Sequence, residues 1–250
     1  VIKTPKGFLS CWFGGTHEGK ADVAIWSSRK VDGKWTAPVK LADGVESNWN
    51  PVLFYNEQGK LHLFYKEGQQ ISDWKTYLMT SDDNGKTWSE PCEMVVGDVS
   101  GGRGPVRNKP ITLSNGSVVA GGSIEKGIWS AFVDVSTDGC VTWEKSAPIE
   151  IAGLMYNVGE KTAESNIAVS EQSFYGRGVI QPSLWESAAG KVHMLLRSSE
   201  GYVYRADSED YGKTWSDAYK TELPNNNSGL DLVKAPFDRN LYLVCNHVEA

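Results

Sequence analysis

An all-β fold built from repeated sheet units is predicted by this sequence of 250 residues. One sign is a short turn motif that recurs along the chain between apolar, strand-like runs. Another is the order of segments before each copy: a strand led by proline, a turn containing glycine, and a second apolar strand. In addition, no long segment shows the 3.6-residue periodicity of an amphipathic helix. Repeated units of three or four short strands predict the blades of a β-propeller.

The recurring turn motif has the pattern S-x-D-x-G-x-T-W. Complete copies occupy residues 81–88 and 208–215, and a third copy at 136–143 carries Cys140 in the usual glycine position. An incomplete fourth copy of the motif ends at Trp35. Asp and Ser side chains bond nearby backbone N–H groups, Gly adopts a positive φ, and Trp covers the adjacent sheet. The motif therefore predicts a hairpin turn closed by a buried tryptophan.

The strands of successive units follow one order along the chain. The paired segments are 51–54 with 59–65, 110–113 with 115–119, and 182–185 with 190–196. The unit between the last two motif tryptophans is the longest, which predicts an irregular insert at 151–177. A propeller closes its ring to protect its sheet edges. We therefore expect one domain over 1–250 that covers about four blades of a six- or seven-bladed propeller, truncated at both ends.

The overall composition argues against several classes of binding partner. The formal net charge is −6 with a pI near 5.3, which argues against nucleic-acid binding because that function leaves a basic footprint. No apolar run reaches the length of a membrane span. The four cysteines form no C-x-x-C pair or zinc-ligand spacing, so no metal and no cofactor is predicted.

Polar residues stand just before each proline-led strand. Since the inner strands of a propeller start around a central funnel, these residues are predicted to converge there, although capping of strand ends is the simpler alternative. They are Asn50, Arg107, Asn108, Lys109 and Gln181. An arginine guanidinium binds carboxylates in a bidentate manner, so Arg107 predicts an acidic sugar, either a sialic acid or a uronic acid, as the partner.

Three further candidates lie at strand ends. His17 and Glu18 occupy a glycine-flanked loop after the first apolar strand, and histidine acts as an acid or base near neutral pH. Tyr65 ends the equivalent strand of the next unit and is expected to point into the funnel. Arg197 ends an apolar strand, where a charge is usually a solvated strand terminus.

The S-x-D-x-G-x-T-W motif resembles the Asp box, or BNR repeat, of the sialidase (neuraminidase) superfamily. This resemblance implies a sialidase-type propeller with its boxes on the rim, and an exo-α-sialidase-like glycoside hydrolase that cleaves next to an acidic sugar. It also implies that Arg197 belongs to a carboxylate-binding arginine triad, and it favours an extracellular or periplasmic location. Asp-box propellers include non-enzymes, so a non-catalytic glycan- or protein-binding propeller is a further alternative.

Two features depart from the sialidase pattern. Gln181 stands where the resemblance implies the glutamate that activates a tyrosine nucleophile, and glutamine takes no proton. The loop expected to bear an acid/base aspartate offers His17 and Glu18. The segments 13–19, 104–110 and 225–229, the last containing Asn227 as a substrate-binding candidate, resemble microbial BNR proteins similar to rhamnose–glucuronate lyases. That resemblance implies proton transfer by His17 and Tyr65 and charge neutralisation by Arg107.

Overall fold

A computed structural model describes residues 1–100, 102–155, 176–235 and 237–248. Nearly all regular structure in these residues is β-strand, which confirms the predicted all-β class; a short 3-10 helix covers Ile71–Asp73. The chain forms two compact units, Val1–Lys109 and Pro110–Ala250, and each is described by itself. Most of the predicted insert at 151–177 lies outside the described residues, as does Gly101.

The first unit contains two antiparallel sheets. In the first sheet, β1 to β4 pair in sequence and β5 pairs with β3. In the second, β6 to β9 pair in sequence. The strands are β1 (Ile2–Thr4), β2 (Gly7–Gly14), β3 (Ala24–Val31), β4 (Lys34–Trp35), β5 (Val39–Ala42), β6 (Asn48–Tyr55), β7 (Leu61–Glu67), β8 (Lys75–Ser81) and β9 (Cys92–Glu93). The predicted strands at 51–54 and 59–65 correspond to β6 and most of β7.

The core of the first unit is built from alternating residues of these strands. Leu61, Leu63 and Tyr65 point to one face of β7 and pack with Leu9 and Met79. Since side chains of a strand alternate between faces, these three share one face of β7, and His62 and Phe64 on the opposite face are buried as well. The Tyr65 ring is 3% exposed, and burial raises the pKa of its phenol. Tyr65 therefore contributes to the core of this unit.

The second unit contains a larger sheet and a separate hairpin. The sheet strands are β10 (Ile111–Thr112), β11 (Val118–Lys126), β12 (Ile128–Ser136), β13 (Glu144–Lys145), β14 (Arg177–Ala188), β15 (Lys191–Ser198), β16 (Tyr202–Ser208) and β17 (Tyr219–Pro224). The hairpin strands are β18 (Asp231–Lys234) and β19 (Leu241–Val244). A short parallel pairing between β12 and β14 joins the two predicted groups of strands into one sheet.

Gly178 makes this parallel pairing possible. Its φ is +136°, and a Cβ added there would lie 2.1 Å from the carbonyl oxygen of Trp129. Glycine is therefore required for the two backbones to approach. On one face of β14 to β16, Leu184, Met194 and Ala206 form part of the unit's hydrophobic core.

The predicted box turns form as the motif implies. In the three copies, the N–H of the fifth residue donates to the hydroxyl of the first at 2.8–2.9 Å. Cys140 takes the glycine position with a φ of +76°. Trp143 is buried, Trp88 and Trp215 are half-buried, and Trp35 of the incomplete fourth copy is 50% exposed.

Candidate functional site

Backbone strain marks several of the residues that the sequence singles out. Asn50, Arg107, Gln181 and Asn227 have φ values of +44°, +65°, +54° and +56°. This region is unfavourable for L-residues, and Asn50 and Gln181 each precede a proline, which normally restricts the preceding residue to extended conformations. Asn50 and Gln181 lie within strands β6 and β14, whereas the other non-glycine residues with positive φ in the described chain lie in segments that link consecutive strands: Asp32, Asn84, Arg107, Cys140, Tyr211, Asn227 and Arg239. Strain held outside such turns clusters at functional sites.

The arginine site of the second unit consists of Arg197, Gln181 and Asn227. Arg197 Nε donates to Asn227 Oδ1 at 2.8 Å, and its NH1 donates to Gln181 Oε1 at 3.3 Å. A register shift in β14 between Ile180 and Ser183 places Gln181 beside the end of β15. The two amide oxygens orient the guanidinium, and a neutral amide leaves the positive charge of the arginine in place.

A second charged pair lies at the same end of this sheet. Arg177 contacts Glu200 through Nε at 2.9 Å and NH2 at 2.5 Å, and the Ser199 hydroxyl donates to Glu200 at 2.8 Å. Partial burial opposes ionisation of Glu200, but the bonds from Arg177 and Ser199 outweigh it and lower the pKa of the carboxyl. The sequence analysis did not predict this pair. The sequence signal that points to Glu200 is its position three residues after Arg197.

In the first unit, the loop that carries Arg107 is strained and well anchored. The N–H of Asn108 donates to the carbonyl of Val106 at 2.7 Å, so Arg107 is the centre of a three-residue turn with positive φ, which is a rare and strained conformation. The Arg107 side chain is exposed, Asn108 is buried and Lys109 is half-buried. The buried Lys66 ammonium donates to the carbonyl of Arg103 in the same loop.

The loop with His17 and Glu18 is exposed and is braced by another carboxylate. Thr16 donates to Asp22 through its backbone N–H at 2.9 Å and its hydroxyl at 3.0 Å, and these bonds lower the pKa of Asp22. His17 Nδ1 lies 3.0 Å from the carbonyl oxygen of Glu18. Asp22, which sequence analysis missed, is the only aspartate of this loop.

An aromatic cluster brings three of the predicted segments of the first unit together. It contains Trp49, Trp74 and Val106, with Phe13 packed against it. Ring centroids are 5.9 Å apart for Phe13 and Trp49. Because Phe13 precedes the His17 loop, Trp49 precedes Asn50, and Val106 precedes Arg107, the cluster supports all three segments. Asn50 itself is half-buried.

Two further properties of the described part of the chain concern metal ions and membranes. There, no three side chains of His, Cys, Asp or Glu lie together as a set that could hold a metal ion. No helix of that part has the length and apolar composition needed to cross a membrane.

Comparison with known proteins shows the family and the fold. The family model described as BNR repeat-like domain matches residues 6–250. A search of curated protein sequences finds no significant match. Among solved structures, a protein of unknown function from Dyadobacter fermentans aligns with a TM-score of 0.69 and 17% identity over 92% of this chain and 66% of that one.

Two sialidases are also similar in structure. The NanB sialidase of Streptococcus pneumoniae aligns with a TM-score of 0.68 and 12% identity over 97% of this chain and 55% of that one. The Trypanosoma rangeli sialidase in complex with sialic acid aligns with a TM-score of 0.61 and 15% identity over 94% of this chain and 40% of that one. These likenesses confirm the predicted sialidase-type propeller fold. This chain spans less than two thirds of the length of each of these structures.

Proposed function

This chain belongs to the BNR repeat-like domain family, and on that premise we propose that it binds an acidic glycan through an arginine and cleaves the adjacent glycosidic bond, as an exo-α-sialidase-like enzyme. The observation that carries the proposal is the orientation of Arg197 by Gln181 and Asn227. Gln181 and Asn227 both have positive φ, which is a strained backbone conformation. In this conformation their side-chain amides lie beside the Arg197 guanidinium.

The chemistry of this arrangement suits a sugar carboxylate. A guanidinium presents a planar set of N–H donors that matches the two oxygens of a carboxylate, and such charge-assisted bonds are stronger than neutral ones. Holding the side chain in place before binding reduces the entropy lost when the ligand arrives. The Glu200–Arg177 pair at the same sheet end is neutral overall, so it leaves the positive charge of Arg197 available to a ligand carboxylate.

Replacement of Arg197 tests the recognition step. Arg197→Ala is expected to weaken binding of N-acetylneuraminic acid or glucuronic acid by about 1.5–3 kcal/mol, the contribution of a hydrogen bond to a charged group. Titration calorimetry measures the effect, with the matching neutral sugars as control ligands. Arg239→Ala, at an exposed turn of the same unit, is the control variant and should bind like the parent. Unchanged affinity of Arg197→Ala for both acidic sugars would exclude this role.

Gln181 favours a second candidate, a lyase that acts on a uronate. Glutamine cannot serve as the general base that a tyrosine nucleophile needs, whereas a lyase only has to remove the proton next to the carboxylate and stabilise the resulting charge. In this candidate His17 supplies the exposed proton-transfer group, with Glu18 beside it, and Arg107 neutralises the uronate. Tyr65 is predicted as the partner acid, although its ring is buried.

The reaction product distinguishes these functions. The protein is incubated with an aryl sialoside and, separately, with a rhamnose–glucuronate oligosaccharide. Release of free sialic acid supports the hydrolase. An ultraviolet-absorbing unsaturated uronate supports the lyase, and in that case His17→Ala should abolish turnover while binding persists. Binding of an acidic sugar without either product would instead indicate a non-catalytic glycan-binding propeller.

A further inference from the structure

A serine, a histidine and an aspartate line up on the sheet of the second unit. His193 on β15 lies directly across from Asp207 on β16 and from Trp185 on β14. Their neighbours Met194, Ala206 and Leu184 point to the hydrophobic core. Because side chains alternate along a strand, His193, Asp207 and Trp185 share the face opposite that core.

The hydrogen bonds run in one direction through the three residues. The Ser187 hydroxyl oxygen is 2.6 Å from His193 Nε2, and His193 Nδ1 contacts Asp207 Oδ1. An ionised carboxylate only accepts hydrogen bonds, so Nδ1 carries the ring proton and donates it to Asp207. Nε2 then has the lone pair that accepts the hydroxyl proton of Ser187. This is the relation of nucleophile, base and orienting acid in hydrolases that use a serine nucleophile.

A β-bulge presents the serine to solvent. The ladder pairs Glu186 with Val192 and Ala188 with Lys191, so Ser187 is the extra residue without an opposite partner. Such a bulge re-aims a side chain and takes its backbone N–H out of the ladder. Ser187 is exposed, while His193 is 8% exposed beneath the Trp185 ring, whose centroid is 4.8 Å from the imidazole. The nucleophile is thus accessible and the base is held in place.

The aspartate is itself fixed by two further donors. Arg205 NH2 lies 2.8 Å from Asp207 Oδ1, the oxygen that His193 also contacts. The Tyr219 hydroxyl donates to Oδ2 at 2.5 Å. Arg205 NH2 and His193 Nδ1 lie 3.0 Å apart because both groups donate to the same Asp207 oxygen. With both oxygens engaged, the carboxylate cannot rotate freely, and the imidazole that it orients keeps Nε2 directed at Ser187.

We propose that Ser187, His193 and Asp207 form an acyl-transfer site that hydrolyses small, unhindered carboxylic esters. Ser187 Oγ attacks the ester carbonyl carbon and its proton passes to His193 Nε2. The bond between that carbon and the alcohol oxygen then breaks, and the proton moves from His193 to the departing alcohol. Water attacks the acyl-serine, gives its proton to His193, and releases the carboxylic acid as Ser187 recovers its proton.

Covalent labelling with an alkyl fluorophosphonate tests this site. The probe forms a phosphorus–oxygen bond with an activated serine and loses fluoride, and peptide mass spectrometry identifies the labelled residue. We expect the label on Ser187 of the intact chain, and none there in Ser187→Ala. His193→Gln and Asp207→Asn should each slow labelling and hydrolysis of p-nitrophenyl acetate by about 10²–10⁴-fold, the contribution of a general base.

Ser216 supplies the matched control. It is an exposed serine in the segment between β16 and β17, and its hydroxyl accepts a bond from the Asp207 N–H and donates to the carbonyl of Asp217. Ser216→Ala should label like the parent. Circular dichroism shows whether each variant is folded. Because Ser187 is exposed, Ser187→Ala is expected to fold, and it still tests the site if His193→Gln is unstable. A folded parent that takes no label at Ser187 overturns the proposal, as does labelling that proceeds equally fast in His193→Gln and Asp207→Asn.

Discussion

The carboxylates of the box turns show how one side chain holds a turn together. Asp138 accepts bonds from the hydroxyl of Thr142 and from the backbone N–H groups of Thr142 and Val141, and a bond from Ser136 adds to these. The bonds from Thr142, together with those from Ser136 and Val141, lower the pKa of Asp138 from 3.8 to about 2. Only the ionised form can accept all of them.

Acid should therefore weaken this turn in a defined range. A carboxyl whose pKa is lower in the folded state stabilises the protein above its unfolded pKa and stops doing so as the pH falls through the folded one. Asp138→Asn is expected to unfold at a lower urea concentration than the parent at pH 5, with the difference shrinking as the pH falls from about 4 towards 2. Urea titrations followed by tryptophan fluorescence measure it. A constant difference at all pH values would contradict the assignment, and Asp82→Asn, at an exposed position, is the control.

At the scale of elements, strand β7 carries a buried charge that secures a loop. Lys66 is 3% exposed, and its Nζ donates to Thr76 Oγ1 at 2.8 Å and to the carbonyl oxygens of Arg103 and Gly104. The Thr76 hydroxyl donates to the same Arg103 carbonyl at 2.5 Å. β7 and β8 together thereby anchor the segment that ends in the strained turn at Arg107.

Loss of the Lys66 ammonium should loosen that segment. Lys66→Met keeps most of the unbranched side chain but leaves buried carbonyl groups without this donor, which costs about 1–3 kcal/mol for each unsatisfied group. We expect a lower free energy of unfolding and faster hydrogen exchange in residues 102–108. Lys75→Met removes an exposed lysine paired with Glu93, and such surface pairs contribute about 0–1 kcal/mol. Equal destabilisation by the two variants would show that Lys66 has no special role.

The strands and box turns were predictable because their signals are local. The Asp-box hydrogen bonds join residues within five positions of one another, and the order of a proline-led apolar run, a glycine turn and a second apolar run identifies β6 and β7. The sialidase-type propeller followed from the repetition of that motif. The parallel pairing of β12 with β14 had no such signal, because it depends on a close approach at Gly178 by a strand distant in sequence.

The candidate site was predictable in part for the same reason. Arg197 and Gln181 were predicted from their positions at strand ends and Asn227 from the resemblance of segment 225–229, and the structure joins the three by hydrogen bonds. Other features depend on which face of a strand points inward, and that is fixed by packing. Tyr65 was expected in the funnel, yet its face of β7 belongs to the core. The Arg177–Glu200 pair needs the register of β14 and β15, which the sequence does not specify.

At the scale of the whole molecule, the two compact units have different hydrophobic cores. The core of residues 1–109 contains Leu63, which is fully buried. The core of residues 110–250 contains Leu196, also fully buried. A set of side chains that packs together tends to unfold together, and native-state hydrogen exchange resolves such cooperative units.

Matched truncations should separate the two cores. Leu63→Ala and Leu196→Ala each remove three side-chain carbons from a hydrophobic core. Each is expected to lower the free energy of unfolding by about 2–5 kcal/mol. Hydrogen exchange at low denaturant should then rise in β6 to β8 for Leu63→Ala and in β14 to β16 for Leu196→Ala, because each cavity weakens the contacts of its own core first. Exchange that rises equally in both units for either variant would show that 1–109 and 110–250 unfold as one cooperative body, and the division into two units would then describe packing but not stability.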